Sequence, residues 1–210
     1  MNVLELYSGS AAISSVFAER GHNTCTIDID ERCCPDICMD LLDVTPSIVI
    51  DYFNGDGPDY IHMSPDCSTY SIAGCWRHRD GIRPISDRAV AADNTLIQSI
   101  ILMLSLDPYF FTIENPRGMM RKLPVMEEFR RDTVTYCQYG DSRMKPTDIW
   151  HNLEHEFRKP CKNGDSCHVP SPRGSYSGTQ RTRDPRKRSL MPYELCVEIC
   201  DAVERNMELI

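Results

Sequence analysis

The sequence predicts an α/β fold built on a mostly parallel twisted sheet with helices on both faces. Three observations carry that expectation. Short apolar runs of strand length alternate with helical stretches from residue 3 to residue 138. The 210 residues, 41% hydrophobic and 26% charged, suffice for one ordinary core and leave no room for a large second domain. Candidate chemical groups recur where the apolar runs end, which is where ligands sit in parallel α/β sheets.

Val3 to Tyr7 reads as a buried strand, Ser8-Gly9-Ser10 as a tight turn, and Ala11 to Arg20 as a helix closed by Gly21. Thr24 to Ile29 is a second strand, Asp36 to Leu42 a third short strand with its exit, and Pro46 to Asn54 a helix. Tyr60 to Met63, Tyr109 to Ile113 and Asp132 to Gln138 read as further strands, with a long helix over Ala89 to Leu106. From Pro146 the periodicity fades into Pro, Gly, His and charged residues until Met191. Pro192 to Val203 then forms an amphipathic helix with the proline near its first turn. Residues 1–148 are expected to form the core, 149–188 a short basic insert, and 189–210 a helix packing back on the core.

No run of about 18 apolar residues occurs, so no membrane-spanning helix is expected. The acidic, polar N-terminal stretch lacks the pattern of a signal peptide, and a cytoplasmic location is the expectation. Eleven cysteines scatter through apolar or helical contexts, Cys25, Cys137, Cys196 and Cys200 among them, and read mostly as reduced thiols.

A net charge of −8 speaks against a nucleic-acid partner, but its distribution reverses that impression. Residues 1–70 hold twelve acids against Arg20 and Arg32, whereas residues 115–188 hold sixteen of the 23 basic residues. Arg181, Arg183, Arg186, Lys187 and Arg188 form the densest cluster, beside a Gly/Ser/Pro-rich stretch, and a polyanion contact is expected there.

The turn Tyr7-Ser8-Gly9-Ser10 lets backbone donors approach a ligand closely. Asp28 follows about twenty residues on, where an acid can bind ribose hydroxyls. Asp40 lies beyond the third strand and could accept from an adenine amino group. Together they suggest an adenosine cofactor.

Cys67 sits in the polar loop Pro65-Asp66-Cys67-Ser68-Thr69, directly after an apolar run, and Glu114 follows 47 residues later at the end of another. A thiolate is the useful form of such a nucleophile, and Asp66 beside it pushes the wrong way unless it turns outward. The bland alternatives are a small buried cysteine and a carboxylate capping Asn115-Pro116-Arg117-Gly118.

In the order Leu6-Tyr7-Ser8-Gly9, Pro65-Asp66-Cys67 with Tyr70-Ser71, Glu114-Asn115, and Tyr139-Gly140-Asp141-Ser142-Arg143-Met144-Lys145, the chain resembles the DNA cytosine carbon-5 methyltransferases. The resemblance covers about residues 1–150 and resumes in the Pro192 helix. It implies a Rossmann-like methyltransferase fold, with Cys67 adding to carbon 6 of a flipped cytosine and Glu114 holding or protonating ring nitrogen 3. A methyl group from S-adenosylmethionine would go to carbon 5. By the same resemblance Tyr7, Gly9, Ser10, Asp28, Ile29, Asp40, Leu41 and Pro65 would hold the cofactor. Arg143 and Lys145 would hold the flipped nucleotide or its phosphate, with Ser68 and the basic cluster on the DNA.

The chain departs from the family pattern at Asp66 (usually proline), Ser68 (glutamine), Pro116 (valine), Arg143-Met144-Lys145 (Gln-Arg-Arg) and Ala11 (frequently glycine). Only residues 146–191 are available for target recognition, so specificity is expected to be short, relaxed or supplied by a partner. The competing readings are an RNA cytosine or uracil carbon-5 methyltransferase and a non-catalytic DNA-binding module of the same fold.

Within that short segment, His151 and His155 lie four apart on a possible helix, followed by Cys161, Cys167 and His168. Reduced thiols and surface histidines are the expectation, with tetrahedral zinc on Cys161, Cys167, His168 and His151 as the alternative.

Overall fold

The structure, a computed structural model, describes residues 1–170 and 184–210. In chain order the sheet and its helices are β1 (Asn2–Leu6), α1 (Ala12–Glu19), β2 (Asn23–Asp28), β3 (Ile37–Cys38), α2 (Pro46–Tyr52) and β4 (Tyr60–Met63). There follow α3 (Cys75–His78), β5 (Arg79–Asp80), β6 (Arg83–Pro84), α4 (Asp87–Leu106) and β7 (Phe110–Pro116). The chain then forms β8 (Arg131–Thr135), β9 (Pro146–His151), α5 (Pro185–Ser189) and α6 (Tyr193–Met207).

The main sheet runs β3-β2-β1-β4-β7-β9-β8. β1 pairs in parallel with β2 and β4, β2 with β3, and β4 with β7, whereas β9 is antiparallel to both β7 and β8. The central parallel strands are buried and mostly apolar, as strands covered on both faces are: Val3, Leu4, Leu6, Ile61 and Met63 are fully buried, with Glu5 and His62 as the buried polar exceptions in β1 and β4.

α4 lies on one face, packing Leu96, Ile100 and Met103 against Leu4, Ile27 and Ile113. α1 and α6 cover the other. There Leu195, Ile199 and Val203 meet Ile13, Phe17, Tyr60 and Val134, so the C-terminal helix does return to the core.

Three differences from the sequence reading have identifiable causes. β9 was missed, because its Thr147, Asp148 and His151 read as loop residues. They are buried with partners: Arg121 Nε (2.8 Å) and the Thr133 hydroxyl (2.8 Å) donate to Asp148, and His151 Nε2 lies 3.0 Å from Asp132.

His151 therefore belongs to a strand, not to a helix shared with His155. β7 continues three residues past Ile113 because β9 supplies the antiparallel partner for Glu114, Asn115 and Pro116.

α4, with 20 residues and mean hydropathy 1.5, is long and apolar enough to cross a membrane by composition, contrary to the sequence expectation. Its Leu96–Ile100–Met103 face lies in the core cluster, as in a core helix.

Candidate functional site

The carboxyl ends of β1, β2, β4 and β7 open onto two adjoining cavities. The first, about 150 Å³, is lined by Glu5, Tyr7, Gly9, Ser10, Cys67, Glu114 and Lys145, with Ser189 and Met191 from the C-terminal segment. The second, about 250 Å³, is lined by Asp28, Ile29, Asp40, Leu41, Arg88, Ala92 and Thr95. Tyr7, Pro65 and Asp66 line both, so the cavities meet at the loop that carries Cys67. The fold brings together residues that are up to 186 positions apart in the chain, Glu5 and Met191 among them.

The first turn is held by a carboxylate. Gly9 N–H (2.9 Å) and Asp30 N–H (2.8 Å) both donate to Asp28, which thereby closes the β1 turn onto the end of β2. Tyr7 and Ala11 flank the turn in left-handed backbone, φ 56° and 52°, where L side chains cost energy. That conformation explains why the resembled pattern favours glycine at the position of Ala11. Ile29 is 67% exposed on the second cavity, an apolar face with no protein partner over most of its surface. Asp40 accepts from Leu42 N–H (3.0 Å) at the same rim.

Cys67 begins a one-turn 3-10 helix, Cys67–Thr69, with Asp66 as its cap. The Asp66 carboxylate is 54% exposed at the rim of both cavities: it accepts from Ser68 N–H (3.0 Å) and Oγ (2.6 Å) and lies 3.2 Å from Arg88. Its φ of −52° is within the range a proline imposes, so the backbone of the resembled pattern is kept without its ring.

Burial pushes the Cys67 thiol up. Lys145 is the first opposing charge, while Glu114 and Asp66 add to the rise.

The loop beyond Cys67 is clamped to α4 and to β7's exit. Buried Arg79 donates through Nη2 (2.7 Å) and Nη1 (3.0 Å) to Asp93 on α4 and through Nε (3.0 Å) to the Thr69 carbonyl. Tyr70 hydroxyl also donates to Asp93 (2.9 Å). Gly118 approaches Tyr70 so closely that a Cβ there would lie 2.3 Å from its carbonyl oxygen, and Met119 N–H donates to that carbonyl (2.7 Å). The same loop turns Ile72 and Trp76 outward, 68% and 66% exposed, with the Arg77 guanidinium 4.7 Å from the Trp76 ring centroid.

Glu114 is buried beneath the cavity. Tyr136 hydroxyl donates to its Oε1 (2.9 Å), and Lys145 Nζ lies 3.7 Å from the same oxygen. Lys145 Nζ donates to the Tyr136 hydroxyl oxygen (3.1 Å) and to the Arg188 carbonyl (3.0 Å). Burial lowers the Lys145 pKa, against which Glu114 and Cys67 act. The result is a buried line of cation, phenol and carboxylate facing a thiol.

Other expected residues fall elsewhere. Arg143 was grouped with Lys145, but its guanidinium binds Asp141 and donates to the carbonyls of Lys187 (2.6 Å) and Leu190 (3.0 Å). It anchors the segment before α6 and does not line either cavity, because Asp141 two residues away captures it. Arg186, Lys187 and Arg188 all lie within α5, with Lys187 and Arg188 exposed. Arg181 and Arg183 lie outside the described residues.

His151 is removed from the metal group. Cys137, read from the sequence as a reduced thiol in an apolar or helical context, takes its place beside Cys161, Cys167 and His168. Sequence reasoning also missed Glu5, Asn115 and Tyr136. Asn115 carried a signal, since it follows Glu114 in a motif, whereas Glu5 and Tyr136 looked like ordinary strand residues.

No protein-family model and no curated protein sequence matches the chain. Solved structures do. An E. coli prophage protein described as a DNA modification methyltransferase superposes with a TM-score of 0.54 at 19% identity, over 72% of this chain and 46% of that one. The Dnmt2 methyltransferase of S. pombe gives 0.49 at 16%, over 75% and 51%, and a Spodoptera frugiperda DNMT2 mutant 0.48 at 18%, over 80% and 57%. The chain thus spans about half the length of the structures it matches. The likeness to the prophage protein, with six strands running one way and β9 reversed between β7 and β8, establishes a Rossmann-like methyltransferase fold.

Proposed function

We propose that this chain is an S-adenosylmethionine-dependent methyltransferase acting on carbon 5 of cytosine in DNA. The observation that carries the reading is the shared wall of the two cavities: Cys67, Glu114 and Lys145 face one of them, and the nucleoside-type pocket of Asp28, Ile29, Asp40 and Leu41 opens beside it.

The second cavity fits that cofactor. Its exposed Ile29 and neighbouring Leu41 offer an apolar face to a flat base, and Asp28 and Asp40 offer acceptors to hydroxyl and amino groups. Asp66 brings a further acidic group to the same cleft, which suits a cationic sulfonium and would repel the phosphates of a dinucleotide. Bound S-adenosylmethionine would supply an electrophilic methyl group there.

The chain's own residues then divide the work on the substrate. The Cys67 thiolate forms a bond to carbon 6 of a cytosine flipped into the first cavity, and Glu114, oriented by Tyr136 and Lys145, stabilises the charge that develops at ring nitrogen 3. Carbon 5 becomes nucleophilic. Loss of its proton after methyl gain, with expulsion of the thiolate from carbon 6, restores the ring. The exposed Arg117, Lys187 and Arg188, with the outward Ile72, Trp76 and Arg77 on the Cys67 loop, offer a surface for a phosphate backbone and an opened base stack.

Labelled methyl transfer to duplex DNA and to structured RNA, with covalent capture on a 5-fluorocytosine duplex, tests this. Capture by the wild-type chain and none by Cys67→Ala is expected. Preference for RNA would overturn the DNA assignment, and absence of transfer and capture with either substrate would make the chain a non-catalytic module.

A further inference from the structure

Outside the two cavities a second set of reactive side chains gathers in the loop after β9. Cys161 N–H donates to Thr135 Oγ1 (3.0 Å), which fixes the loop to the end of β8. The chain then makes a tight turn: Asp165 N–H donates to the Lys162 carbonyl (3.1 Å), and Lys162 N–H to the Asp165 carboxylate (2.7 Å). Gly164 takes φ 103° in that turn, a conformation side chains rarely adopt. The turn returns Cys167 and His168 to Cys161.

Cys137, from the 3-10 turn that follows β8, completes the group. Its Sγ lies 3.1 Å from that of Cys161 and 3.6 Å from that of Cys167, and His168 Nδ1 lies 3.6 Å and 3.4 Å from the Cys161 and Cys167 sulfurs. All four ligand atoms fall within 4.8 Å of one another. Zinc–sulfur bonds of about 2.3 Å at tetrahedral angles separate two sulfurs by roughly 3.8 Å, so the cluster is close to the required size.

A disulfide between Cys137 and Cys161 would bring their sulfurs to about 2.05 Å and leave the third thiol and the imidazole without a role. The described residues between β9 and residue 170 contain no helix or strand and have little core of their own, the situation in which small segments use a metal staple.

We propose that Cys137, Cys161, Cys167 and His168 form a structural zinc site that fastens residues 158–169 to the turn bearing Tyr136. Four protein ligands leave no open position, so the metal organises and does not catalyse. Gln138 Nε2 donates to the Cys167 sulfur (3.3 Å), a contact that favours the thiolate a metal needs. Gly164 N–H lies 3.3 Å from His168 Nε2. With zinc on Nδ1 that nitrogen carries the ring proton, so this contact opens on loading. The proposal is independent of the methyltransferase reading, because its readout is metal content.

The full chain, produced in zinc-supplemented medium and purified under reducing conditions without chelator, is assayed by plasma mass spectrometry and after exchange into cobalt(II). About one zinc per chain and the visible bands of a tetrahedral cobalt–thiolate site are expected. Cys167→Ser at the exposed ligand and His168→Gln should each lose zinc to a chelator at least about tenfold more readily, as expected for lost ligands. Cys34→Ser, and His22→Gln near the other His–Cys–Glu group, should behave as wild type. Circular dichroism confirms that each protein compared is folded. Three results would overturn the site: less than about 0.1 zinc per folded chain, undiminished zinc in a Cys161→Ser/Cys167→Ser double variant, or a Cys137–Cys161 disulfide in protein alkylated on lysis.

Discussion

Asn115 Nδ2 donates a 2.8 Å hydrogen bond to the carbonyl of Pro65, so the residue after the candidate acid holds the loop that presents the candidate nucleophile. Asn115 is fully buried. Asn115→Ala is expected to cost about 1–3 kcal/mol, the penalty for leaving a buried carbonyl unpaired. It should also slow covalent capture by Cys67 more than it weakens DNA binding. Asn115→Asp puts an acceptor against that carbonyl and should be worse. Denaturant unfolding and capture rates measure both, and an aspartate variant as stable as the alanine would show that the donor is not what matters.

Lys145 is the charge that most opposes the rise in the Cys67 pKa. Lys145→Met keeps the stem, removes that charge and pushes the thiol further up. One unit is about a tenfold loss of thiolate, so alkylation of Cys67 at pH 8 should slow several-fold to about tenfold. Peptide mass spectrometry of iodoacetamide-treated protein between pH 7 and 10 separates Cys67 from the other cysteines. An unchanged profile would remove Lys145 from the thiol's electrostatics.

Glu114→Gln retains an acceptor for the Tyr136 hydroxyl and loses the carboxylate. If Glu114 manages charge or a proton at the ring, methyl transfer should fall by about 10²–10⁴ with duplex binding altered only a few-fold. Single-turnover transfer and binding isotherms give the two numbers. A fall of less than about threefold in transfer would leave Glu114 a structural strand residue.

Glu5 is buried under the first turn, where desolvation pushes its carboxyl from 4.5 to about 7 despite the donated N–H of Ser14. Between those pH values the folded chain holds a proton that the unfolded chain has lost, so stability falls as pH rises through the window, by about 3 kcal/mol in all. His62 acts in the opposite direction. Burial lowers its pKa to about 3, so between that value and 6.5 stability rises with pH. Comparing Glu5→Gln with wild type cancels the histidine. The variant should gain relative stability from pH 5 to about pH 7 and level off above it in urea unfolding, and a pH-independent difference would contradict the buried-acid account.

Ala11 sits at φ 52°, ψ 41°, the left-handed region. Ala11→Gly relieves that strain, and a net gain of about 1 kcal/mol is expected after the added freedom of the unfolded chain. The midpoint of denaturant unfolding reads it. A destabilised glycine variant would mean that the methyl group makes compensating contacts.

Much of this protein was legible before folding. Apolar runs such as Val3–Leu6 and Tyr60–Met63 are local signals, and each became a strand of the parallel sheet within a residue or two. The cavity lining was equally legible at Tyr7, Asp28, Asp40, Cys67 and Glu114, because turns at strand ends carry their own sequence marks. Lys145 reached the site as the motif suggested. Arg143 did not, because a carboxylate two residues away offers it a shorter reach than the cavity does.

What the sequence determined by itself was the α/β alternation, the presence of one thiol and one carboxylate at strand ends, and the acidic and basic halves of the chain. Those properties belong to short stretches and to composition. The tertiary structure alone decided that β9 runs backwards between β7 and β8, that Tyr136 joins Lys145 to Glu114, and that Cys137 stands with Cys161, Cys167 and His168. Polar residues such as Asp148 read as loop until Arg121 and Thr133 are known to meet them, and a buried thiol reads as core until three distant ligands surround it. Periodicity reports which face a residue presents; only the closed chain reports which partner it finds there.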